Sequence, residues 1–317
     1  MKIATVTLNP AIDQTVRVDN FQTNTVNRGQ GMQFNAGGKG VNVASFLAAT
    51  GHAVAVTGFL GEENVDIFER FFASKGIEDH FVRIPGLTRI GVKVVDEANQ
   101  HTTDINMPGL SPSAEALETL LQEIERLSAS CDWFVLAGAL PPAMPTNIYA
   151  RIITQLKEHN RQIVLDTSNV ALLEGVQAGP TIVKPNIDEL QQLVGQQLTN
   201  EAAIEQAARQ LLGNGIQLVV VSMGEQGALF VDQATALIAV PPAVTVKSTV
   251  GAGDAMVAGL IAGKVQGLSL PDCARLATAF SLGTITRFGS DLPAPEILQA
   301  YFQQVTVHIR TSVPRSA

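Results

Sequence analysis

Ser248-Thr249-Val250-Gly251-Ala252-Gly253-Asp254 is the stretch on which the reading of this 317-residue chain turns. Two glycines and an alanine let the backbone bend sharply and bring several N–H groups to one point. The run that follows, residues 255–265, is apolar and built of small residues, and reads as a helix. Residues 244–246, just before it, alternate like a strand. A helix N-terminus carries partial positive charge, so the turn makes a seat for an anion, phosphate above all. Asp254 falls on the first turn, aimed at the same point. A carboxylate beside a phosphate is repulsive unless it has a task. Taking the proton from a hydroxyl that attacks phosphorus is such a task. The plainer reading is a first-turn acid after a tight turn, worth roughly 0.3–1 kcal/mol to the helix; the rest of the chain decides between the two.

Outward from that stretch, short apolar, β-branched runs alternate with helical patterns. Residues 2–8, 53–58, 133–136, 162–165, 181–183 and 218–221 read as buried strands. Residues 41–50, 65–74, 113–127, 146–158 and 201–212 read as helices. Such alternation predicts an α/β layer around a mostly parallel sheet, with ligands at the carboxyl ends of the strands. Beyond residue 217 the rhythm changes. Strands at 228–231 and 237–240 suggest antiparallel pairs at one edge, and two small-residue helices, 255–265 and 271–287, leave room for a flat ligand such as adenine. Two segments stand apart, 15–35 and 88–106, the latter a hairpin turning at 96–100. They read as one small sheet whose apolar face must cover a substrate or the same sheet of a second subunit.

Hydrophobic residues make up 46% of the chain and charged residues 16%, enough for a sizeable core. The net charge of −8 argues against a nucleic-acid surface. Local Lys and Arg can still hold an anionic small molecule. The two cysteines, Cys131 and Cys273, form no metal or redox pair, which points to a reducing compartment. No apolar run approaches the ~20 residues of a membrane span, and the first residues read as a strand and a turn rather than a signal peptide. A soluble, cytoplasmic protein is expected, with no membrane partner.

Two further constellations sit after strands and at helix starts. In Gly37-Gly38-Lys39-Gly40-Val41-Asn42 the glycines admit close backbone approach, Lys39 supplies charge and Asn42 can bond a hydroxyl. It is not a Walker loop, since no Ser or Thr follows the Lys. In Lys184-Pro185-Asn186-Ile187-Asp188-Glu189, Asn186 and Glu189 share a helical face. They read either as a cap in the style of a capping box or as a hard-oxygen pair that orients Mg²⁺ through its waters.

Taken together these motifs resemble a family. Gly37 to Ala44, with Gly51 and Gly61, resembles the first signature of the PfkB (ribokinase-like) carbohydrate kinases. Ser248 to Asp254 with Ala258-Gly259 resembles the second. Thr7-Leu8-Asn9-Pro10-Ala11-Ile12-Asp13, Gly58-Phe59-Leu60-Gly61, Thr88-Arg89 and Lys184-Pro185-Asn186 are similar to its sugar-phosphate branch. The resemblance implies one ribokinase-like α/β unit over 1–317 with the lid inserted. It implies ATP-dependent phosphorylation of a sugar phosphate, fructose 1-phosphate first, with tagatose 6-phosphate or fructose 6-phosphate as alternatives and a non-catalytic sensor as a remote one. By the same resemblance Asp254 is the base, and the N–H groups of Gly251, Ala252 and Gly253 hold the transferring phosphoryl. Asp13, Gly37, Gly38 and Asn42 meet the sugar; Arg28, Lys39 and Arg89 meet its phosphate. Lys184, Asn186, Ser222, Gly224, Gly227, Ser248 and Val250 border the nucleotide. Asn186 and Glu189 organise Mg²⁺ through water. The apolar face of the small sheet 15–35 and 88–106, read as a lid, separately points to a homodimer paired through that face. The chain departs from the branch at Ala137-Gly138-Ala139, where two serines are usual, and at Gly91, where Asn is frequent.

Overall fold

The apolar runs form the strands of a twisted α/β layer in a computed structural model that describes residues 1–99, 101–287 and 291–310. In chain order the elements are β1 (Lys2–Thr7), β2 (Ala11–Arg17), β3 (Gly31–Gly37), α1 (Lys39–Ala49), β4 (Ala53–Gly61), α2 (Asp66–Lys75), β5 (Glu78–Asp79), β6 (Val82–Ile84), β7 (Ile90–Asp96), β8 (His101–Ile105), α3 (Ala114–Ser128), β9 (Trp133–Ala137), α4 (Ile148–Glu158), β10 (Gln162–Asp166), α5 (Asn169–Gln177), β11 (Ile182–Val183), α6 (Ile187–Val194), α7 (Glu201–Leu211), β12 (Leu218–Ser222), β13 (Ala228–Val231), β14 (Ala236–Val240), α8 (Ala252–Val265), α9 (Leu270–Ile285), α10 (Pro295–Gln304) and β15 (Thr306–Arg310).

The main sheet, 11-stranded among the described residues, runs β15-β14-β13-β12-β11-β10-β9-β1-β4-β5, with β6 also on β4. From β12 to β5 the neighbours are parallel; β12 to β15 are antiparallel. The chain leaves β1 for β4 on one side and returns as β9 on the other, so the strand order reverses at β1, where an open α/β sheet places its crevice. Both faces are covered, which is why the strands are apolar throughout rather than alternating. Leu218 and Val220 of β12 pack toward α8 and α9, whereas Val219 and Val221 pack toward α4 and α7.

The small sheet has the order β3-β2-β7-β8. Side chains alternate across it. One face carries the row Phe34, Gln14, Val92, Ile105 and the row Met32, Val16, Val94, Thr103. Met32, Phe34 and Ile105 are exposed there. The other face carries Asn35, Asp13 and Gly91, then Gln33, Thr15, Lys93 and Asp104. The root of β7 is pinned to the end of β4: the Thr88 hydroxyl accepts from Gly61 N (2.8 Å), Thr88 N donates to Asn64 Oδ1 (2.8 Å) and Asn64 Nδ2 donates to Thr88 O (2.9 Å). At the far end the Asp96 carboxylate accepts from the backbone N–H groups of Asn20, Phe21 and Asn99. That joins the 18–30 loop to the β7–β8 turn. Gln100, part of the expected turn, lies outside the described residues.

Three differences from the sequence reading are physical. Residues 244–246 form no strand. Pro241 and Pro242 close β14, and β14 already has β13 and β15 on its two sides, so no edge is left to pair with. The small sheet starts earlier than expected, at Ala11, and residues 18–30 are irregular. The elements β5, β6, α5, α10 and β15 were not expected. Among the described residues no helix is long and apolar enough to cross a membrane.

Candidate active site

Gly251 caps α8 with φ 79°, a left-handed conformation open to glycine at little cost. The helix then runs Ala252, Gly253, Asp254, so the expected N–H cluster stands at a helix N-terminus with the acid on its first turn. Gly253 has ordinary helical backbone; a Cβ there would stand 3.3 Å from Lys184 Nζ. Helix α8 packs along α9 and against α1. Gly259 permits the first contact, since a Cβ there would come within 2.8 Å of Leu276 O. The second contact buries Asp254 to 5% exposure.

Asn42 on α1 donates from Nδ2 to Asp254 Oδ2 at 2.8 Å. Burial pushes the Asp254 carboxyl up to about 6. Lys39 pulls it back, Asp166 adds to the rise, and the Asn42 bond and Lys184 pull down. The acid is therefore ionised at neutral pH yet basic enough to accept a proton, as a general base requires.

Asp166 ends β10 and was not among the residues that the sequence reading selected. Its Oδ1 faces two lysines, Lys39 Nζ at 3.1 Å and Lys184 Nζ at 3.3 Å. Its Oδ2 is buried with no hydrogen-bond partner. Burial works to raise this carboxyl and is the largest single influence, but Lys184 and Lys39 together outweigh it and hold it below the usual carboxylate range. The same pairing holds Lys39 well above the ordinary lysine range, against burial and with help from Asp254 and Glu189. The available signal was an acid closing an apolar strand, Gln162-Ile163-Val164-Leu165-Asp166, at the carboxyl edge of a parallel sheet. The turn at Gly138, with φ 101°, lies beside Lys39. Its carbonyl accepts from Tyr149 Oη and Thr167 Oγ1.

Asn186 and Glu189 form a complete capping box on α6: Glu189 N donates to Asn186 Oδ1 (2.8 Å) and Asn186 N donates to Glu189 Oε2 (2.9 Å). The cap engages the single side-chain oxygen of Asn186 and one of the two oxygens of Glu189. A cleft of about 790 Å³ opens beside the α8 N-terminus. Its walls include Ser222, Gly224, Gly227, Val244, Gly253 and Leu282, so the 244–246 segment serves as a wall rather than a strand. Ser248 holds its own turn, accepting from Val250 N (3.3 Å), and Val250 is exposed.

The substrate-side residues divide. Asp13 lies on β2 against Gly37, where a Cβ would collide with its carboxylate, and Gly38 with φ 120° leads into Lys39. Burial raises the Asp13 carboxyl, opposed by Lys93 and then Arg89, and Asp104 adds to the rise. Asn42, read as a sugar ligand, gives one Nδ2 bond to Asp254. Lys39, read as a phosphate cation, is paired with Asp166. Arg89 spends three donors on backbone carbonyls, Pro10 O, Met107 O and Asn9 O, at 3.1–3.2 Å. Arg28 lies exposed in the 18–30 loop, where no bond ties it to the residues around Asp13. The fold thus gathers Asp254, Gly251–Gly253, Asn42, Lys39, Lys184 and Asp166 at one end, and Asp13, Gly37, Arg89 and Lys93 at the lid.

A helix N-terminus with a buried acid on its first turn, beside an open cleft, is an arrangement that suits phosphoryl transfer. Comparison with known proteins gives a kinase family. The chain is 47% identical over 308 residues to the 1-phosphofructokinase of Rhodobacter capsulatus, covering 97% of this chain and 98% of that one. Its fold matches the phosphofructokinase-2 of Escherichia coli with a TM-score of 0.90 at 27% identity, over 95% of this chain and 98% of that one. It also matches a possible 1-phosphofructokinase of Thermotoga maritima, with a TM-score of 0.90 at 25% identity over 98% and 100%. A family model described as pfkB family carbohydrate kinase matches residues 6–297. With a buried acid on the first turn of α8 and that match along most of its length, the chain belongs to the pfkB family of carbohydrate kinases.

Proposed function

We propose that this kinase transfers the γ-phosphoryl of ATP to fructose 1-phosphate, giving fructose 1,6-bisphosphate. The observation that carries the reading is the buried Asp254 at the N-terminus of α8, bonded to Asn42 and bordered by the Lys39–Asp166–Lys184 group. The relative named 1-phosphofructokinase supports the choice of sugar. In this reading Asp254 accepts the proton of the attacking hydroxyl, and the backbone N–H groups of Gly251, Ala252 and Gly253 meet the transferring phosphoryl. Lys184, 3.3 Å from the Cβ position of Gly253, adds charge at the same point. Asp13 orients sugar hydroxyls. The adenine lies in the cleft beside Ser222, Gly224 and Gly227, near Ser248 and Val250.

Among the described residues no cluster of three or more acidic, His or Cys side chains could cage a metal. Mg²⁺ needs no such cage, since it takes one or two carboxylates and completes its shell with phosphate oxygens and water. The orphaned Asp166 Oδ2, and Glu189 with Asn186 through water, would hold it. When bound, the ion neutralises charge on the nucleotide phosphates.

We further read residues 1–317 as one kinase unit of the cytoplasm, with 15–35 and 88–106 as a lid inserted in it. The apolar lid face, with Met32, Phe34 and Ile105 exposed, pairs with the same face of a second copy. The test of the substrate is an ADP-release assay over fructose 1-phosphate, fructose 6-phosphate, tagatose 6-phosphate and fructose. The highest kcat/KM is expected for fructose 1-phosphate; preference for either 6-phosphate overturns the choice of sugar.

A further inference from the structure

The sugar in this reading carries its phosphate at the end opposite the attacked hydroxyl, so the cation that holds it must lie across Asp13 from Asp254. Lys39 is committed to Asp166, and Arg89 is tied to three carbonyls. The face of the lid that bears Asp13 offers another cation. Asp13 pairs with Gly91 and Thr15 with Lys93, so Lys93 stands on the Asp13 face one pleat further out. Among the charges around Asp13, Lys93 exerts the largest pull toward the ionised form, ahead of Arg89. Its one recorded ion pair is loose, 3.7 Å to Asp104 Oδ1, and its side chain is 21% exposed.

Gly91 gives that cation something to close on. A Cβ there would stand 3.4 Å from Asp13 Oδ1 and 3.5 Å from Asn106 Oδ1. Gly91 therefore lets a ligand come close to the β7 backbone between Asp13 and Asn106, with Lys93 one pleat further out on the same face. The route from Asp254 to this face is continuous: Asp254 to Asn42 by the amide bond, Asn42 N to Gly38 O at 2.9 Å, and Gly37 against Asp13. We propose that Lys93 is a substrate-binding residue that holds the phosphate of the acceptor sugar on the Asp13 face of the small sheet. The inference rests on the phosphosugar reading above, and it assigns that phosphate to a residue on β7.

The test uses the full chain with Lys93→Met and Lys93→Arg, and whichever phosphosugar the native enzyme prefers. KM for the phosphosugar should rise roughly 10- to 100-fold in Lys93→Met, the usual worth of a charge-assisted bond. KM for ATP should stay within about two-fold and kcat/KM for unphosphorylated fructose should be unchanged. Lys93→Arg should recover most of the loss. An unchanged KM for the phosphosugar overturns the inference, and so does an equal loss on fructose, which marks a structural role. Lys93→Gln is read in the same way should Lys93→Met fail to fold. If the native enzyme uses fructose as well as any phosphosugar, the phosphosugar reading itself falls and the inference with it; a phosphosugar preference that survives Lys93→Met overturns the inference alone.

Discussion

Asn42 Nδ2, on the helix that follows the lid, donates to Oδ2 of Asp254, on the helix that follows the anion turn, at 2.8 Å across 212 residues of sequence. The bond ties the Asp254 carboxylate to the element that connects directly to Gly37 and Gly38. It engages one carboxylate oxygen; in the proposed reaction the other accepts the proton of the acceptor hydroxyl. The same amide favours the ionised acid, against the burial that works to protonate it.

Asp254→Asn should fold, since volume is kept, and should lose about 10²–10⁴-fold in turnover, the usual contribution of a positioned base. The native kcat/KM should rise with pH through about 6, where the buried carboxyl ionises. Stability should move the other way. The folded-state value lies above the unfolded one, so the folded chain binds more protons between roughly pH 4 and 6, and stability falls as pH rises through that window. Asp254→Asn should remove this slope and raise Tm at pH 8. A melt series from pH 4.5 to 8 on both proteins checks the sign.

Asn42→Ala removes the donor that holds the Asp254 carboxyl down. The acid limb of the kcat/KM profile should shift to higher pH, so the loss at pH 6 exceeds the loss at pH 9. A uniform loss at all pH values would mean that Asn42 acts on the sugar and not through Asp254.

Asp166→Ala strands the buried Lys184 together with Lys39. Breaking such a buried pair costs about 3–5 kcal/mol, readable as a lower midpoint in urea. Asp166→Asn should cost less. Because the Asp166 charge raises the Asp254 carboxyl, its acid limb should shift to lower pH, opposite to Asn42→Ala. Profiles of the two variants on the same buffers give the comparison.

Phe34 and Ile105 lie in one cross-strand row on the apolar face of the lid. Under the proposed pairing of this face, the native protein should sediment as a dimer at micromolar concentration and the Phe34→Glu, Ile105→Lys variant as a monomer. A native protein already monomeric there would remove the lid-to-lid pairing.

What was legible in the sequence is what short-range chemistry dictates. Alternating apolar runs and helical spacing marked most of the strands and helices of the main sheet, because burial on both faces needs continuous apolar strands. Gly251 with φ 79°, the first-turn Asp254 and the Asn186–Glu189 cap were readable because each is a local backbone requirement at a helix start. The pairing of residues distant in the chain was decided only by the tertiary structure. Asp166 became the shared partner of Lys39 and Lys184 because β9, β10 and β11 lie side by side, and no spacing rule joins residues 127 apart. Asn42 met Asp254 because α1 packs on α8. Lys93 joined Asp13 through the register of β2 with β7. The alternation at 244–246 came to nothing for the complementary reason: a strand is a relation to a neighbour, and both sides of β14 were already taken. Local sequence sets what each segment can do, and the sheet's register and the helix contacts decide which side chains meet.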